Sequence, residues 1–245
     1  CNMVVVGMGQ GEIDMTPLQM ANAMCLIANR GYYYIPHFVK SIGGNPKDSL
    51  LKEYLVKHTP THISDRAFES VIMGMEDVVT HGTGRVAILP GIEVCGKTGT
   101  VENYWMLNGQ KTKLDNHSVF VCFAPKNDPK IAIAVVVQNS GYGATWAGPI
   151  ASLMMEKYLK DSIAGPARIA LQEKMYKANT VKSYIRVIDS LQRQKDLLRD
   201  MLRTADKRTK DSVKRVRDTF LVKQILKDYY LPAARNNDGN TRIRN

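Results

Sequence analysis

Cysteine, tryptophan and long apolar runs are all scarce in this sequence of 245 residues. Its four cysteines stand far apart without a Cys-x-x-Cys pair, and its five histidines are scattered, so we predict no metal site and no cofactor. No apolar stretch approaches the roughly eighteen residues of a membrane-spanning helix, and no signal peptide is recognisable. The chain opens on Cys1 and a short apolar run rather than on Met, which predicts an internal part of a longer protein.

Basic residues are concentrated in the last third of the chain, where the charge balance changes. Residues 1–160 carry 14 Lys and Arg against 13 Asp and Glu, whereas residues 161–245 carry 20 against 10. Nearly the whole net charge of +11 therefore lies in the second segment. We predict a core domain over residues 1–160 and a basic, helical C-terminal extension over residues 161–245.

The core segment combines helical patterns with strand patterns. Thr16-Pro17-Leu18-Gln19 has the form of a capping box and predicts a helix to about Arg30, where Gly31 ends it. The sequence HSVFVCFA (117–124) and the sequence KIAIAVVVQ (130–138) are apolar on successive residues and predict two central strands joined by a hairpin. The other predicted elements are an extended segment 32–42, a helix from Ser64 or Asp65, a strand Ile92–Thr100 and a helix from about Thr145. This order predicts an α+β fold with a largely antiparallel sheet flanked by helices.

Two incompatible interpretations apply to the sequence around Lys97. Residues 91–98 (GIEVCGKT) fit the GxxxxGK[ST] pattern of a phosphate-binding loop. That loop needs a strand before its first Gly and a helix that begins at its Lys, whereas residues 92–95 are themselves strand-like and Thr-Gly-Thr-Val follows Lys97. We therefore favour the second interpretation, a Lys-Thr-Gly-Thr edge strand.

An edge strand of this composition suits an extended peptide that ends in a carboxylate. A ligand backbone can add to the edge of the sheet, and Gly96 and Gly99 have no side chain to hinder its approach. Lys97 supplies a positive charge for the carboxylate, while Thr98 and Thr100 supply hydroxyl groups. A backbone N–H of such a strand can also stabilise an oxyanion.

Two further segments carry a resemblance to a known family. The sequence GQGEIDMTPLQMANAMCLIANRG (9–31) closely resembles the G-Q-G-x-x-x-T-P-L-Q-M-A segment of penicillin-binding proteins, and it precedes the Lys-Thr-Gly-Thr strand as that family requires. The sequence NSGYGATWAGPIASLMMEKYL (139–159) is similar to the closing loop and helix of the same domain. Residues 1–160 thus resemble the C-terminal part of the transpeptidase domain of elongation-type class B penicillin-binding proteins.

The resemblance implies a serine acyl-transfer enzyme that cross-links peptidoglycan stem peptides and is inhibited by β-lactams. Lys97 and Thr100 would be catalytic, with the Thr100 N–H as half of the oxyanion hole, and Lys97, Thr98, Gly99 and Thr100 would bind the substrate. The implied setting is a bacterial inner membrane, with an anchor upstream of this chain, a periplasmic catalytic domain and partners in the cell-wall elongation machinery. No nucleic acid is expected as a partner.

One departure from the family is serious, because its Ser-x-x-Lys nucleophile motif and its Ser-x-Asn motif belong upstream of residue 9. The one Ser-x-x-Lys match is Ser49-Leu50-Leu51-Lys52, which follows a turn-rich connector, and no Ser-x-Asn occurs. We therefore expect the chain alone to be inactive. The alternatives are a serine β-lactamase or D,D-carboxypeptidase of the same fold, and a non-catalytic scaffold that binds a surface through its basic tail.

Other features leave alternative interpretations open. Tyr104 and Trp105 follow the strand, and two roles are open for them: lining a groove for the acceptor peptide, or packing. Separately, nothing in the sequence pairs Glu102 with a second catalytic group. In the tail, an apolar stripe predicts a solvated helix, with anionic lipid, anionic wall polymer or a partner helix as the alternative contacts. The stripe comprises Tyr184, Ile188, Leu191, Leu198 and Leu202, with a weaker continuation at Val216, Phe220, Ile225 and Tyr229.

Overall fold

The computed structural model describes residues 2–181 except 8, 10, 12, 60, 61, 108 and 109, together with positions 186, 190, 192, 193, 196, 197 and 200. The chain divides into two compact units, Cys1–Thr180 and Val181–Asn245. The separate positions described after Val181 are helical and exposed. The apolar stripe predicted for the tail lies outside the described residues.

The first unit contains five α-helices and five strands among its described residues. The helices are α1 (Asn2–Gly7), α2 (Pro17–Ala28), α3 (Asp65–Thr80), α4 (Ala147–Lys160) and α5 (Pro166–Lys177). The strands are β1 (Cys95–Val101), β2 (Tyr104–Leu107), β3 (Gln110–Lys113), β4 (His117–Ala124) and β5 (Ile131–Val137). Two short 3-10 helices, Ser49–Leu55 and Arg85–Ala87, complete the set. None of the described helices is both long and apolar enough to cross a membrane.

The predicted capping box forms at the start of α2. The Thr16 hydroxyl accepts a hydrogen bond from the Gln19 amide, and the Gln19 side chain in turn accepts one from the Thr16 amide at 2.8 Å. The helix ends at Ala28, slightly earlier than predicted, because Arg30 and Gly31 both adopt positive φ angles (57° and 114°). The Gly31 amide returns to the Leu26 carbonyl, which closes the helix end.

The main sheet is antiparallel, in the order β1-β4-β5. β1 is therefore an edge strand of the described sheet, as predicted. The prediction that β5 is central is wrong for the described sheet, since β4 is its one paired neighbour. An apolar run reports that both faces of a strand are covered by side chains, and it carries no information on how many strands pair with its backbone.

Each face of the sheet packs on different helices, because successive side chains point to opposite faces. On one face, Phe120 and Cys122 pack with Met155 of α4. On the other face, Cys95 and Phe123 belong to the cluster formed with residues of α2 and α3. The predicted α+β architecture is thus confirmed, with the sheet between two helical layers.

Two local predictions differ from the structure, and one element was not predicted at all. The segment 32–42 forms only isolated pairs, Tyr33 with His58 and Ile42 with Asn45, rather than a strand. The strand predicted from Ile92 begins at Cys95, because Ile92 pairs with Leu89 across a tight turn. The hairpin of β2 and β3 was not predicted, since its residues lack a simple alternation of polar and apolar side chains.

Candidate active site

The four predicted site residues, Lys97–Thr100, occupy the middle of β1 and pair with residues 118–121 of β4. Because side chains alternate, Lys97 and Gly99 share the face of Cys95, which α2 and α3 cover, whereas Thr98 and Thr100 share the face of Phe120, which α4 covers. A ligand placed along the edge of β1 lies in the plane of the sheet. It can therefore be reached by the lysine from one face and by both threonines from the other.

The Lys97 side chain lies at the surface and bends back on its own strand. Its ammonium group donates a hydrogen bond to the Thr98 carbonyl oxygen at 2.7 Å. A lysine has three donors, so this bond leaves two further N–H groups for an anionic ligand. The position suits a binding charge at the edge of the sheet.

The Thr98 side chain has a partner that sequence analysis missed. Its hydroxyl lies 2.8 Å from the hydroxyl of Thr83, in the loop that follows α3. The two residues are separated by fifteen positions, and no short motif joins them. Only the packing of α3 against β1 reveals the pair.

Ser118 supports the strand from behind. It pairs with Thr100 across the β1–β4 ladder and is fully buried. Its hydroxyl donates to the Tyr142 carbonyl at 2.8 Å and accepts from the Ala147 amide at 3.1 Å. This single side chain therefore fixes both the loop 139–146 and the first turn of α4 to the sheet.

Gly143 allows the same loop to lie directly on the strands. A Cβ atom at this position would stand 2.3 Å from the Val119 carbonyl oxygen and 2.7 Å from that of Gly99. At such distances a side chain fits only if the loop moves away from the strands. Gly143, the second glycine of the sequence NSGYGATW, is thus required by close backbone contact behind the candidate site.

The glycines of β1 differ in their roles. A Cβ atom at Gly96 would stand 2.6 Å from the ring of Phe120, so this glycine makes room for a core side chain. This packing role was not predicted, and the predicted role of Gly96 in ligand approach stays a prediction. A Cβ atom at Gly99 would stand 3.2 Å from the Val119 Cβ, on the face that carries Lys97.

A polar cluster lies just beyond the end of β1. The Tyr104 hydroxyl donates to the Glu102 carboxylate at 2.6 Å, and the Lys113 ammonium lies 3.3 Å from the same carboxylate. The pKa of Glu102 is lowered mainly by the hydrogen bond from Tyr104 and, to a smaller extent, by that from Lys113. The same hydrogen bond to Glu102 raises the pKa of Tyr104. Tyr104 and Lys113 are thus hydrogen-bond partners of Glu102, and sequence analysis did not predict them. The Lys111 ammonium also lies 3.9 Å from the centre of the Tyr104 ring.

Asn103, His117 and Asn139 join the hairpin to the main sheet. The Asn103 amide donates to the Asn139 side-chain oxygen at 2.6 Å, and the Asn139 backbone N–H donates to His117 Nδ1 at 3.0 Å. Burial lowers the pKa of His117. Nδ1 can accept this hydrogen bond only when it carries no proton. Both the burial and the hydrogen bond therefore favour the neutral imidazole of His117.

The geometry rejects the phosphate-loop interpretation. Gly91 lies in the tight turn between Leu89 and Ile92, with a φ angle of 78°, and Lys97 is the third residue of a strand. A phosphate loop would place the lysine at the first turn of a helix, where backbone N–H groups converge. Residues 95–101, all of them described, form a strand instead.

Ser49 and Lys52 lie in a different environment. Ser49 begins the 3-10 helix Ser49–Leu55, and both residues are exposed. Across the described part of the chain, no group of three or more His, Cys, Asp or Glu residues could hold a metal ion. At the candidate site itself, the Lys97 ammonium offers a positive charge and the Thr98 hydroxyl offers a hydrogen bond.

A Lys-Thr-Gly strand at the edge of an antiparallel sheet is typical of penicillin-recognising serine enzymes. A family model described as the penicillin binding protein transpeptidase domain matches residues 2–156. This chain belongs to that family. The predicted resemblance to elongation-type class B penicillin-binding proteins is confirmed.

Individual relatives agree with this assignment. The peptidoglycan D,D-transpeptidase MrdA of Haemophilus influenzae is 34% identical over 174 residues, which cover 65% of this chain and 26% of that protein. The stage V sporulation protein D of Bacillus subtilis is 32% identical over 184 residues, which cover 71% and 27%. The chain spans about a quarter of the length of the curated relatives it matches.

Solved structures show the same fold. The crystal structure of PBP2 from Pseudomonas aeruginosa in complex with WCK 5153 aligns with a TM-score of 0.52 and 30% identity, over 64% of this chain and 32% of that one. The crystal structure of PBPA from Mycobacterium tuberculosis aligns with a TM-score of 0.50 and 26% identity, over 63% of this chain and 37% of that one.

Proposed function

We propose that this chain is the substrate-binding part of a peptidoglycan D,D-transpeptidase. The observation that carries the proposal is the edge strand Lys97–Thr100, whose lysine and threonine side chains project from opposite faces of the sheet. A stem peptide that ends in D-Ala-D-Ala is an extended ligand with a terminal carboxylate. It fits both the strand edge and the positive charge.

In the proposed reaction, a serine hydroxyl attacks the carbonyl carbon of the penultimate D-Ala. The new Ser O–C bond forms, the peptide C–N bond breaks, and the terminal D-Ala leaves as an amine after taking up the serine proton. The amine of a neighbouring stem peptide then attacks the ester carbonyl carbon. A new C–N bond forms, the Ser O–C bond breaks, and the proton lost by the amine restores the serine hydroxyl, which completes the cross-link. We place this serine in a part of the protein outside these 245 residues.

The residues of this chain act on the substrate in that scheme. Lys97 attracts the terminal carboxylate and contributes to the proton network, and the hydroxyls of Thr98 and Thr100 hold the carboxylate. The Thr100 N–H is one donor to the oxyanion that forms on the attacked carbonyl. Gly99 keeps the edge open on the face of Lys97.

The cellular setting is part of the same proposal. The protein would be anchored in a bacterial inner membrane, with its catalytic domain in the periplasm and with the cell-wall elongation machinery and cell shape as its context. The starting point for this part of the proposal is the activity printed for the MrdA relatives, peptidoglycan D,D-transpeptidase.

The decisive experiment is acylation of the complete protein that contains this chain. It is incubated with a fluorescent penicillin, and the adduct is located by intact-mass and peptide mass spectrometry. We expect a stable adduct on a serine of an upstream Ser-x-x-Lys motif, and we expect none on the purified 245-residue chain. Rapid release of hydrolysed penicillin would indicate a β-lactamase, and an adduct on Ser49 would show that this chain holds its own nucleophile.

A further inference from the structure

The loop after α3 holds Thr83 in a fixed position. The amides of His81 and Gly82 both donate to the Asp77 carbonyl, at 2.8 and 3.0 Å, and the Gly84 amide donates to the Val78 carbonyl at 2.8 Å. Both glycines lie against the last turn of α3, where a Cβ atom at Gly82 would stand 2.9 Å from the Val78 Cα. Thr83 lies between these two anchored glycines.

The chain is anchored on the other side of Thr83 as well. The 3-10 helix Arg85–Ala87 follows at once, and the fully buried Ala87 belongs to the core cluster of Phe120. Thr83 itself is exposed, although the residues around it are held by backbone bonds and by the core. Its hydroxyl is therefore presented to β1 by a rigid support rather than by a mobile loop.

We propose that Thr83 is a positioning residue for the substrate carboxylate, acting through the hydroxyl of Thr98. This inference rests on the proposed function. The two hydroxyl oxygens are 2.8 Å apart, and either one can donate to the other. When Thr83 donates, Thr98 accepts with one lone pair and keeps its own proton for a ligand.

A bound carboxylate selects this orientation. Thr98 has one hydroxyl proton, so it can donate to a carboxylate only if it is not donating to Thr83. When Thr98 donates to Thr83 instead, its oxygen presents lone pairs to the carboxylate, and the two repel each other. The hydrogen bonds then run in one direction, from Thr83 to Thr98 to the carboxylate, and each strengthens the next. Thr83 thus distinguishes a ligand with a carboxylate from a neutral analogue without touching either.

The test measures second-order acylation rate constants on the complete protein with a penicillin and with its uncharged methyl ester. Loss of one such hydrogen bond in Thr83→Val is expected to lower the rate with the free acid by about three- to tenfold, while the rate with the ester stays unchanged. Thr83→Ser retains the hydroxyl and is expected to restore the wild-type rate. In a Thr98→Val background, Thr83→Val is expected to have no further effect.

The matched control is Thr80→Val. Its hydroxyl donates to the Glu76 carbonyl at 3.0 Å and lies 2.9 Å from His81 Nδ1. This variant therefore removes a threonine hydroxyl at the start of the loop that has no contact with Thr98. We expect it to leave both rate constants unchanged. The double variant Thr83→Val with Thr98→Val shows whether Thr83 acts through Thr98. If it does, the double variant is as slow as Thr98→Val alone, whereas independent contacts would give a larger loss.

Each outcome has a defined meaning. An unchanged rate in Thr83→Val, or an equal loss with acid and ester, would overturn the inference and leave the proposed function intact. If the wild-type protein forms no adduct with either compound, the proposed function fails and this inference fails with it. A loss confined to the free acid supports both.

Discussion

The substitution Gly143→Ala tests whether the loop behind the site positions the edge strand. The new methyl group would stand 2.3 Å from the Val119 carbonyl oxygen and 2.7 Å from that of Gly99. Both neighbours are backbone atoms, so the loop and the strands must separate by about 1 Å. Overpacking of this kind typically costs about 1–3 kcal/mol, and we expect about 3 kcal/mol because no flexible side chain can yield.

The same displacement should reach the reaction. A shift of about 1 Å in a substrate-binding element can slow catalysis by about a hundredfold, and we expect this loss in the acylation rate of the complete protein. Stability is measured by urea unfolding followed by circular dichroism, and acylation is measured with a fluorescent penicillin.

Gly141→Ala in the same loop is the control. Gly141 has a φ angle of 92° and no heavy atom within 4 Å of a Cβ position, so its substitution strains the backbone by about 1–2 kcal/mol without moving β1. It should leave the acylation rate unchanged. If Gly143→Ala were as stable and as active as the wild type, the close contact between the loop and the strands would not exist.

Three further predictions concern charged or titratable residues. Lys97→Ala should slow acylation of the complete protein by at least about a hundredfold with little change in the urea midpoint, because Lys97 is exposed; an unchanged rate would remove its assigned role. Burial lowers the pKa of His117 below its ordinary value of 6.5, so the unfolded state binds more protons in acid and the free energy of unfolding should fall as pH drops below that value. His117→Gln should weaken this dependence of stability on pH, because glutamine cannot take up a proton and the Asn139 N–H then has no protonation to oppose it. An identical pH profile in the variant would contradict the reasoning. Arg168→Leu leaves the buried Glu156 carboxylate without its 2.6 Å partner and should cost about 3 kcal/mol, most of which Glu156→Leu should restore in the double variant; additive losses would argue against the pair.

Local signals were sufficient for much of the fold. The capping box at Thr16 and Gln19 defines the start of α2 because both of its hydrogen bonds form within four residues. The Lys-Thr-Gly-Thr motif lies on an edge strand of the described sheet because its glycines and polar residues do not suit a fully covered strand. In both cases the determining interactions are encoded in consecutive residues.

Contacts between distant residues could not be predicted in the same way. The pair of Thr83 and Thr98 depends on how α3 packs against β1, and the role of Gly143 depends on how its loop lies on two strands. Helix α5 has no buried residue, and its contact with α4 includes an ion pair between Arg168 and Glu156, twelve positions apart. No rule of spacing within one helix or strand applies to such pairs.

The sheet carries one buried thiol on each of its faces, Cys95 and Cys122. The reactivity of these two thiols can therefore be used to follow unfolding. Cys95 lies against the layer of α2 and α3, and Cys122 lies against α4, where its sulfur is 3.7 Å from that of Met155. Burial raises the pKa of each thiol to about 12, so both are unreactive while the layers stay closed. A thiol-alkylating reagent can label each cysteine only after its own helical layer separates from the sheet. The order in which the two sites are modified would therefore report which layer opens first, without any engineered label.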